Sequence, residues 1–134
     1  MNTEQIPAPL TDADRALFQQ AADIRKNAYA PYSGFTVGAA LMTESGRVYL
    51  GVNTENAAYP VGCCAERNAI GAAMTAGERS FSAVAICGKD ETAPCFPCGM
   101  CRQMLAELHN PDLRVILADG VYPLSALLPY AFTL

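Results

Sequence analysis

The sequence predicts an α/β fold, in which a mixed sheet is covered by helices on its faces, from three observations. A hairpin signal, Glu44-Ser45-Gly46, separates two short runs with strand character. Helical segments then alternate with further apolar runs, as they do in strand–helix–strand crossovers. The run from Phe81 to Cys87 is almost continuously apolar, which is typical of a strand buried on both faces. The chain has 134 residues, 51% of them hydrophobic, and we expect one domain over residues 11–134 after a tail at residues 1–10.

The first half of the domain predicts one helix followed by the hairpin. Thr11 is a candidate N-cap, Asp14 is placed to complete a capping box, and apolar residues follow at helical spacing. We expect this helix to end near Ala30, because a proline follows and disfavours helix in the residue before it. Two strands, over residues 35–42 and 47–52, form the hairpin.

The second half predicts a functional loop and the remaining elements of the sheet. Residues 53–62 are polar and too numerous for a tight turn, which is typical of a loop that carries function. Good helix formers and apolar runs alternate after this loop. The expected elements are a helix over residues 65–76, a strand over 81–87, a helix over 99–108, a strand over 113–118, a short strand over 121–124 and one helical turn over 125–128.

The composition favours a small ligand over a polynucleotide. The net charge is −4 and only Arg25-Lys26 approaches a basic cluster, whereas nucleic-acid binding draws on clustered lysine and arginine. No run of about 18 apolar residues is present, so we expect no membrane span. The segment from Met1 to Gln5 is polar and lacks the regions of a signal peptide, so we expect a cytoplasmic protein. In that setting cysteines bind metals or stay free more often than they form disulfides.

Cysteines in two separate segments suit a single metal ion. One segment is Cys64-Ala65-Glu66 and the other is Pro97-Cys98-Gly99-Met100-Cys101. Three thiolates bind zinc tetrahedrally and leave one position open to water, as catalytic zinc sites do. Both segments open predicted helices, whose free N–H groups and positive dipole ends stabilise thiolates.

The choice of ligands rests on spacing, and other cysteines compete for the same role. Cys63 adjoins Cys64, and Cys95 also forms a C-x-x-C pair with Cys98. A structural zinc module with four protein ligands would recruit Cys63, Cys95 or Cys87 as the fourth. We interpret His109, the single histidine, as a helix-end residue rather than a ligand.

Glu66 suits proton transfer better than metal binding. It lies two residues after Cys64, about 200° round an ideal helix, so the first turn must be non-ideal if the carboxylate is to reach the metal. Nucleobase deaminases use the same parts, and one carboxylate can serve all their proton transfers. Arg67 adjoins the cluster and can offset the net charge of −1 that three thiolates leave on Zn²⁺.

The motifs Cys64-Ala65-Glu66-Arg67 and Pro97-Cys98-Gly99-Met100-Cys101-Arg102-Gln103 resemble those of the small homotetrameric cytidine deaminases. The likeness extends to segments 30–41, 53–59 and 127–132, and it covers about residues 14–132 in the same order. It implies a three-layer α/β/α sandwich with a mixed five-stranded sheet. It also implies one zinc ion per subunit and a homotetramer whose subunits share active sites.

The resemblance implies roles for individual residues as well. Cys64, Cys98 and Cys101 hold zinc, Glu66 shuttles protons, and Arg67 tempers the thiolate charge. The implied substrate contacts are the side chains of Asn53 and Glu55 on the ribose, the backbone of Ala65 on the pyrimidine carbonyl, Phe35 against the nucleoside, and Ala57, Tyr59 and Phe132 from a neighbouring subunit. An ordinary packing role for the three aromatic residues stays open.

The activity that the resemblance implies is zinc-dependent hydrolysis of cytidine and 2′-deoxycytidine to uridine and 2′-deoxyuridine with release of ammonia, in pyrimidine salvage. One alternative is a deaminase of another aminopyrimidine nucleoside, such as a blasticidin-type antibiotic, although the Asn53-x-Glu55 loop favours a plain ribose. A deaminase of single-stranded nucleic acid needs a basic path that this composition does not supply. A zinc-stabilised binding module is the alternative outside enzymes.

Overall fold

Five strands form one mixed sheet in the spatial order β2–β1–β3–β4–β5. The computed structural model describes residues 5–134, apart from the side chains of residues 109–111. Strands β3 and β4 are parallel, and the other neighbouring pairs are antiparallel. The α-helices and β-strands in chain order are α1 (Asp12–Arg25), β1 (Gly38–Thr43), β2 (Val48–Val52), α2 (Ala65–Thr75), β3 (Phe81–Cys87), α3 (Gly99–Leu108), β4 (His109–Leu117), β5 (Gly120–Pro123) and α4 (Leu124–Leu127), with a short 3-10 helix (Tyr59–Val61) before α2.

The sheet has a hydrophobic core on each face, so the chain forms the predicted three layers. Helix α1 covers one face, where its Leu17 and Ala21 pack with Ala40 and Ile116 of the sheet. Helices α2, α3 and α4 cover the other face, and the buried Ile70, Leu105 and Leu124 come from these three helices. Alternate residues of β1 and β3 enter opposite cores, as the period of a strand requires. The prediction of an α/β/α sandwich with a mixed five-stranded sheet is therefore confirmed.

The topology brings the starts of α2 and α3 to one edge of the sheet. Strands β2 and β3 are each antiparallel to β1, so they run in the same direction and end at the same edge. Helix α2 follows β2 and helix α3 follows β3. Both helices therefore begin beyond that edge, and the two cysteine segments that precede them meet there.

Gly51 of β2 allows α2 to lie directly against the sheet. A Cβ atom at this position would lie 2.4 Å from the carbonyl oxygen of Ala65 and 2.4 Å from the amide nitrogen of Ala69. No side chain fits in that space without movement of the helix backbone. The absence of a side chain at Gly51 thus sets the height of α2, and of the metal-binding segment before it, above the sheet.

The boundaries of the predicted elements are mostly confirmed, and the main error is the end of the first helix. The Thr11 capping box with Asp14 is present, but α1 ends at Arg25 rather than near Ala30. The backbone of Tyr29 pairs with the functional loop instead of continuing the helix: it accepts a hydrogen bond from Glu55 N and donates one to Asn53 O, both at 2.9 Å. The first strand likewise starts at Gly38 rather than at residue 35.

Two further expectations concern the ends of the elements. The predicted tail at residues 1–10 is partly attached to the sheet, because Ala8 and Val121 exchange backbone hydrogen bonds of 2.9 and 2.8 Å. Residues 1–4 lie outside the described part of the chain. The backbone of His109 opens β4, directly after α3, but its side chain is not among those described, so its interpretation stays a prediction. Within residues 5–134, no helix combines the length and the apolar character that crossing a membrane requires.

Candidate metal centre and active site

Three thiols from two helix starts form a compact cluster. The Sγ atom of Cys98 lies 3.6 Å from that of Cys64 and 3.5 Å from that of Cys101, and all three sulfur atoms lie within 4.8 Å of one another. Tetrahedral zinc with Zn–S bonds of about 2.3 Å requires sulfur atoms about 3.8 Å apart. The distances are too long for a disulfide, whose sulfur atoms lie about 2 Å apart. The cluster therefore fits one zinc ion with three protein ligands.

The backbone before α2 explains how Cys64 and Glu66 serve the same site. Cys64 is the N-cap of α2 and has extended backbone angles, with φ −72° and ψ 155°. The residue before it is held by a pair of backbone hydrogen bonds between Cys63 and Thr54, each 2.9 Å long. Because Cys64 lies outside the helix, the 200° separation of an ideal helix does not apply between it and Glu66. This is the non-ideal first turn that the sequence requires.

Hydrogen bonds set the charge of the cluster. The bond from the Cys101 thiol, with further bonds from Arg67 and Cys98, outweighs burial and lowers the pKa of Cys64 to about 5. Donation to Cys64, together with burial, raises the pKa of Cys101. Arg67 Nη2 lies 3.5 Å from Cys64 Sγ, and this contact raises the pKa of the guanidinium. One thiolate is thus formed at neutral pH before any metal is bound, and Arg67 is its counter-charge.

Glu66 is a buried carboxylate beside the cluster. Only 4% of its surface is exposed. Burial raises the pKa of Glu66 to about 7, and the nearby Cys64 thiolate acts in the same direction. A carboxyl group with a pKa near neutrality is both an acceptor and a donor of protons under ordinary conditions, which is what general acid–base catalysis needs.

The competing cysteines take other positions. All six cysteines belong to the described residues and are free. Cys87 is buried at the end of β3, and its thiol donates to the carbonyl of Gly88. Cys95 packs against Gly88, and burial raises its pKa to about 11, so it stays a neutral thiol. Cys63 is fixed by its backbone pairing with Thr54.

The predicted ribose contacts, Asn53 and Glu55, hold the segment before β1. Asn53 accepts from Val37 N and donates to Phe35 O, both at 2.8 Å. Glu55 accepts from the backbone of Tyr32 and Ser33 at 3.0 and 3.1 Å and from the Ser33 hydroxyl. The Ser33 hydroxyl is the main cause that holds the pKa of Glu55 below its ordinary value. A carboxylate has about four acceptor positions, so roughly one remains for a ligand.

Two adjoining cavities connect this loop to the metal cluster. One, of about 390 Å³, is lined by Tyr32, Ser33, Glu55, Asn56, Tyr59 and Gly62. The other, of about 240 Å³, shares Glu55 and Gly62 and reaches Asn53, Cys64 and Arg67. Small-molecule sites typically occupy about 300–1,000 Å³, so the joined cavities are large enough for a ligand of modest size.

The remaining predicted contacts differ in how far they are exposed. Ala65 is the first residue of α2, and the first N–H groups of a helix have no partner within the helix. Phe35 is half exposed and lies against Gly88. The other three, in contrast, are exposed: Ala57 lies on the surface, Tyr59 is 83% exposed and Phe132 is 68% exposed.

Three positioning contacts were not predicted from the sequence. Ser33 links Glu55 to Phe35 N, whose hydrogen bond to Ser33 Oγ is 2.9 Å long. Asn68 Nδ2 donates to Val52 O at 2.7 Å and ties α2 to the end of β2. Arg102 donates to the carbonyl of Pro97, next to Cys98, and to that of Leu127 in α4. The Ser-Gly pair at residues 33–34 was a turn signal, whereas a helical asparagine or arginine gives no local signal of its partner.

Fold and cluster together define the class as that of the zinc-dependent deaminases. Residues 11–117 match the family profile described as "Cytidine and deoxycytidylate deaminase zinc-binding region". The chain therefore belongs to this family of deaminases. The family binds zinc, and the three-thiol cluster supplies one metal site per chain.

Individual relatives agree with this assignment over most of the chain. A cytidine deaminase of Sporosarcina psychrophila is 46% identical over 103 residues, which are 77% of this chain and 75% of that protein. A cytidine deaminase of Halalkalibacterium halodurans is 43% identical over 122 residues, covering 87% of this chain and 92% of that protein. The crystal structure of cytidine deaminase from Burkholderia pseudomallei matches with a TM-score of 0.83 and 45% identity, over 92% of this chain and 100% of that one.

Proposed function

We propose that this protein hydrolyses cytidine and 2′-deoxycytidine to uridine and 2′-deoxyuridine with release of ammonia, and that it serves pyrimidine salvage. The observation that carries the proposal is a buried carboxylate, Glu66, beside a three-thiol cluster that leaves one position of a tetrahedral metal open. Relatives at up to 46% identity are cytidine deaminases. A cytoplasmic location, expected from the sequence, stays a prediction.

The reaction breaks the C4–N bond of the base and transfers both protons of the attacking water to nitrogen atoms. Zinc, when bound, acidifies water and so supplies the nucleophile at neutral pH. Glu66 takes one proton from the attacking water and gives it to the ring nitrogen. It then takes the second proton from the hydroxyl group left on C4 and gives it to the departing amino group, which leaves as ammonia. The pKa of about 7 supports this role, because the carboxyl gains and loses protons with little cost near neutral pH.

Other residues bind and orient the nucleoside. The free N–H of Ala65 holds the pyrimidine carbonyl, and Phe35 packs against the nucleoside. Asn53 and Glu55 bind the ribose hydroxyls, and for this they share or exchange the hydrogen bonds that they make with residues 32–37. The acidic composition counts against a nucleic-acid substrate and favours a free nucleoside.

We propose a homotetramer in which neighbouring subunits complete each site. Ala57, Tyr59 and Phe132 are exposed on the single chain, and large apolar side chains exposed to water favour association. In the proposed assembly Phe132 stacks on the base in the site of a neighbour, and the loop of Ala57 and Tyr59 closes over it.

An absorbance assay with cytidine tests the proposal. Protein stripped of metal is expected to be inactive, and addition of one zinc ion per chain is expected to restore ammonia release and the spectral change of cytidine to uridine. A panel that includes 2′-deoxycytidine, a blasticidin-type aminopyrimidine nucleoside and single-stranded RNA separates the alternatives. Turnover of the antibiotic or the RNA without turnover of cytidine would overturn the proposal.

A further inference from the structure

Arg102 joins the metal-binding segment to the C-terminal part of the chain. Its Nε donates to the carbonyl of Pro97 at 2.7 Å, directly before Cys98. Its Nη1 donates to the carbonyl of Leu127 at 2.6 Å. The two carbonyls lie 30 residues apart in sequence, and a single planar guanidinium bridges them.

The contact with Leu127 occurs where a cation is favourable. Leu127 is the last residue of α4, and the carbonyl groups at a helix end have no partner within the helix. A guanidinium satisfies such a carbonyl with a charge-assisted hydrogen bond. Among the described residues, no carboxylate lies within ion-pair distance of Arg102, so main-chain carbonyls are its principal partners.

Gln103, the next residue of α3, attaches the same C-terminal segment at Phe132, the residue that the proposed function uses. Gln103 Nε2 donates to the carbonyl of Phe132 at 3.1 Å. The side chain of Phe132 stays exposed, and so does that of Tyr130. The segment from Leu127 to Phe132 is thus held through its backbone by the start of α3, while its aromatic rings face outward.

We propose that Arg102 is a positioning residue that fixes the C-terminal segment, and with it Phe132, to the loop that carries Cys98. The inference rests on the proposed function, in which Phe132 completes the site of a neighbouring subunit. Arg102 then acts in trans: it stands beside the metal site of its own chain but sets the substrate affinity of the next one. A merely structural role for Arg102 would act on its own chain instead.

Arg102→Met removes both hydrogen bonds and keeps the apolar stem of the side chain. Arg102→Lys keeps the charge and can bond only one carbonyl well, and Gln103→Met removes only the bond to Phe132. The matched control is Arg79→Met, because Arg79 also donates to two backbone carbonyls, those of Met74 and Glu78, but at the far end of α2. These variants keep the proposal testable if Arg102→Met fails to fold.

The placement in trans is tested in hybrid oligomers. Chains with Glu66→Gln, which still provide Phe132, are co-expressed with Phe132→Ala chains, which still provide Glu66, and the hybrids are isolated through two different affinity tags. Arg102→Met is then added to one parent or the other. On the Glu66→Gln chain it is expected to raise KM for cytidine by about three- to tenfold, with kcat and zinc content little changed, because a charged hydrogen bond that orders the segment is lost.

A second measurement does not depend on activity. Hydrogen exchange of the peptide over residues 124–134 is expected to speed up in Arg102→Met, to a smaller degree in Arg102→Lys and Gln103→Met, and to stay unchanged in Arg79→Met. A rise in KM only when Arg102→Met is on the Phe132→Ala chain, or unchanged exchange of the segment, would overturn the proposal. If hybrids of the two parent chains are inactive even when neither carries Arg102→Met, the shared site itself is overturned, and the trans role with it. The deaminase activity of the wild type would not be affected by that result.

Discussion

Arg67 places a guanidinium against a cluster that is otherwise rich in negative charge. Three thiolates outweigh the charge of one zinc ion, and the excess negative charge makes bound water less acidic. Arg67 Nη2 donates a hydrogen bond of 3.5 Å to Cys64 Sγ, and its positive charge offsets part of that excess negative charge. The Nε atom of Arg67 is buried and has no hydrogen-bond partner among the described residues. The contact of the guanidinium with the cluster is therefore made at the expense of folding free energy, because a buried donor is left without an acceptor.

Arg67→Met is expected to keep zinc but to lower kcat for cytidine by about 10- to 100-fold, the usual effect of removing a group that tunes a metal ligand. Arg67→Lys, which keeps the positive charge, is expected to recover part of the loss. Steady-state kinetics with zinc content measured on the same samples provide the check. Wild-type turnover in Arg67→Met would show that the thiolate charge needs no compensation.

Asp14 contributes to stability through a pair that depends on pH. It is 3% exposed, and it accepts hydrogen bonds of 2.9 and 2.8 Å from Arg114 and one from Thr11 N in the capping box. Burial alone would raise the pKa of Asp14, but the hydrogen bonds from Arg114 and Thr11 outweigh it and hold the pKa below 3.8. The contribution is therefore complete above about pH 4 and is lost as the pH falls through the lowered pKa.

Asp14→Asn is expected to destabilise the fold by about 1–3 kcal/mol at pH 7, because the buried side chain loses its charge-assisted hydrogen bonds with the half-exposed Arg114. Thermal midpoints at fixed protein concentration should differ most at pH 7, and the difference should shrink as the pH falls below about 4. Asp12→Asn is the matched control, since the exposed pair of Asp12 with Arg15 contributes little. Equal effects of the two substitutions would contradict the role of burial.

At the scale of elements, the start of α2 is set by its contact with β2. Gly51 lets the helix backbone approach to a distance that no side chain permits, and Asn68 ties the first turns of the helix to Val52. Cys64, Ala65 and Glu66 all belong to this start. The geometry of the site thus depends on a residue that contacts neither metal nor ligand.

Gly51→Ala is expected to lower stability by about 1–3 kcal/mol, because the added methyl group overlaps the backbone of α2. It is also expected to reduce the zinc content per chain. Gly71→Ala serves as the control on the same helix, since a Cβ there meets nothing within 4 Å, and it should be neutral or stabilising by about 0.5–1 kcal/mol. Full zinc content and an unchanged thermal midpoint in Gly51→Ala would contradict the packing argument.

At the scale of the whole molecule, the chain exposes the aromatic residues that its proposed function needs. Tyr59 and Phe132 contribute little to the core of their own chain. In the proposed tetramer both residues contribute to the site of a neighbouring subunit, and apolar surface that water would otherwise contact is buried. Activity should therefore belong to the assembly rather than to the isolated chain.

Complementation tests whether sites are shared between chains. Glu66→Gln and Phe132→Ala homo-oligomers are each expected to have little activity at low cytidine concentration. Hybrids of the two contain some sites with both wild-type residues and should regain a substantial part of wild-type turnover. Hybrids no more active than the average of their parents would show that each chain uses its own Phe132.

The layers of the fold and the metal ligands could be predicted from local sequence patterns, whereas contacts between residues far apart in sequence could not. The hairpin signal and the apolar runs located the strands, and Gly99 to Leu108 was predicted with its observed bounds. The end of α1 was missed because Tyr29 bonds to residues 53 and 55, far away in sequence. Glu66 and the thiol cluster follow from spacing, whereas the links made by Asn68 and Arg102 depend on which carbonyls the fold brings near them.

Glu66 is the residue on which the proposed chemistry depends, so its replacement is the most direct test. Glu66→Gln keeps the size of the side chain but cannot accept or pass on the protons of hydrolysis. With one zinc per chain confirmed by metal analysis, this variant is expected to deaminate cytidine at least about 10³-fold more slowly than the wild type, in an absorbance assay at saturating substrate. Turnover at the wild-type rate in the zinc-loaded variant would contradict the account.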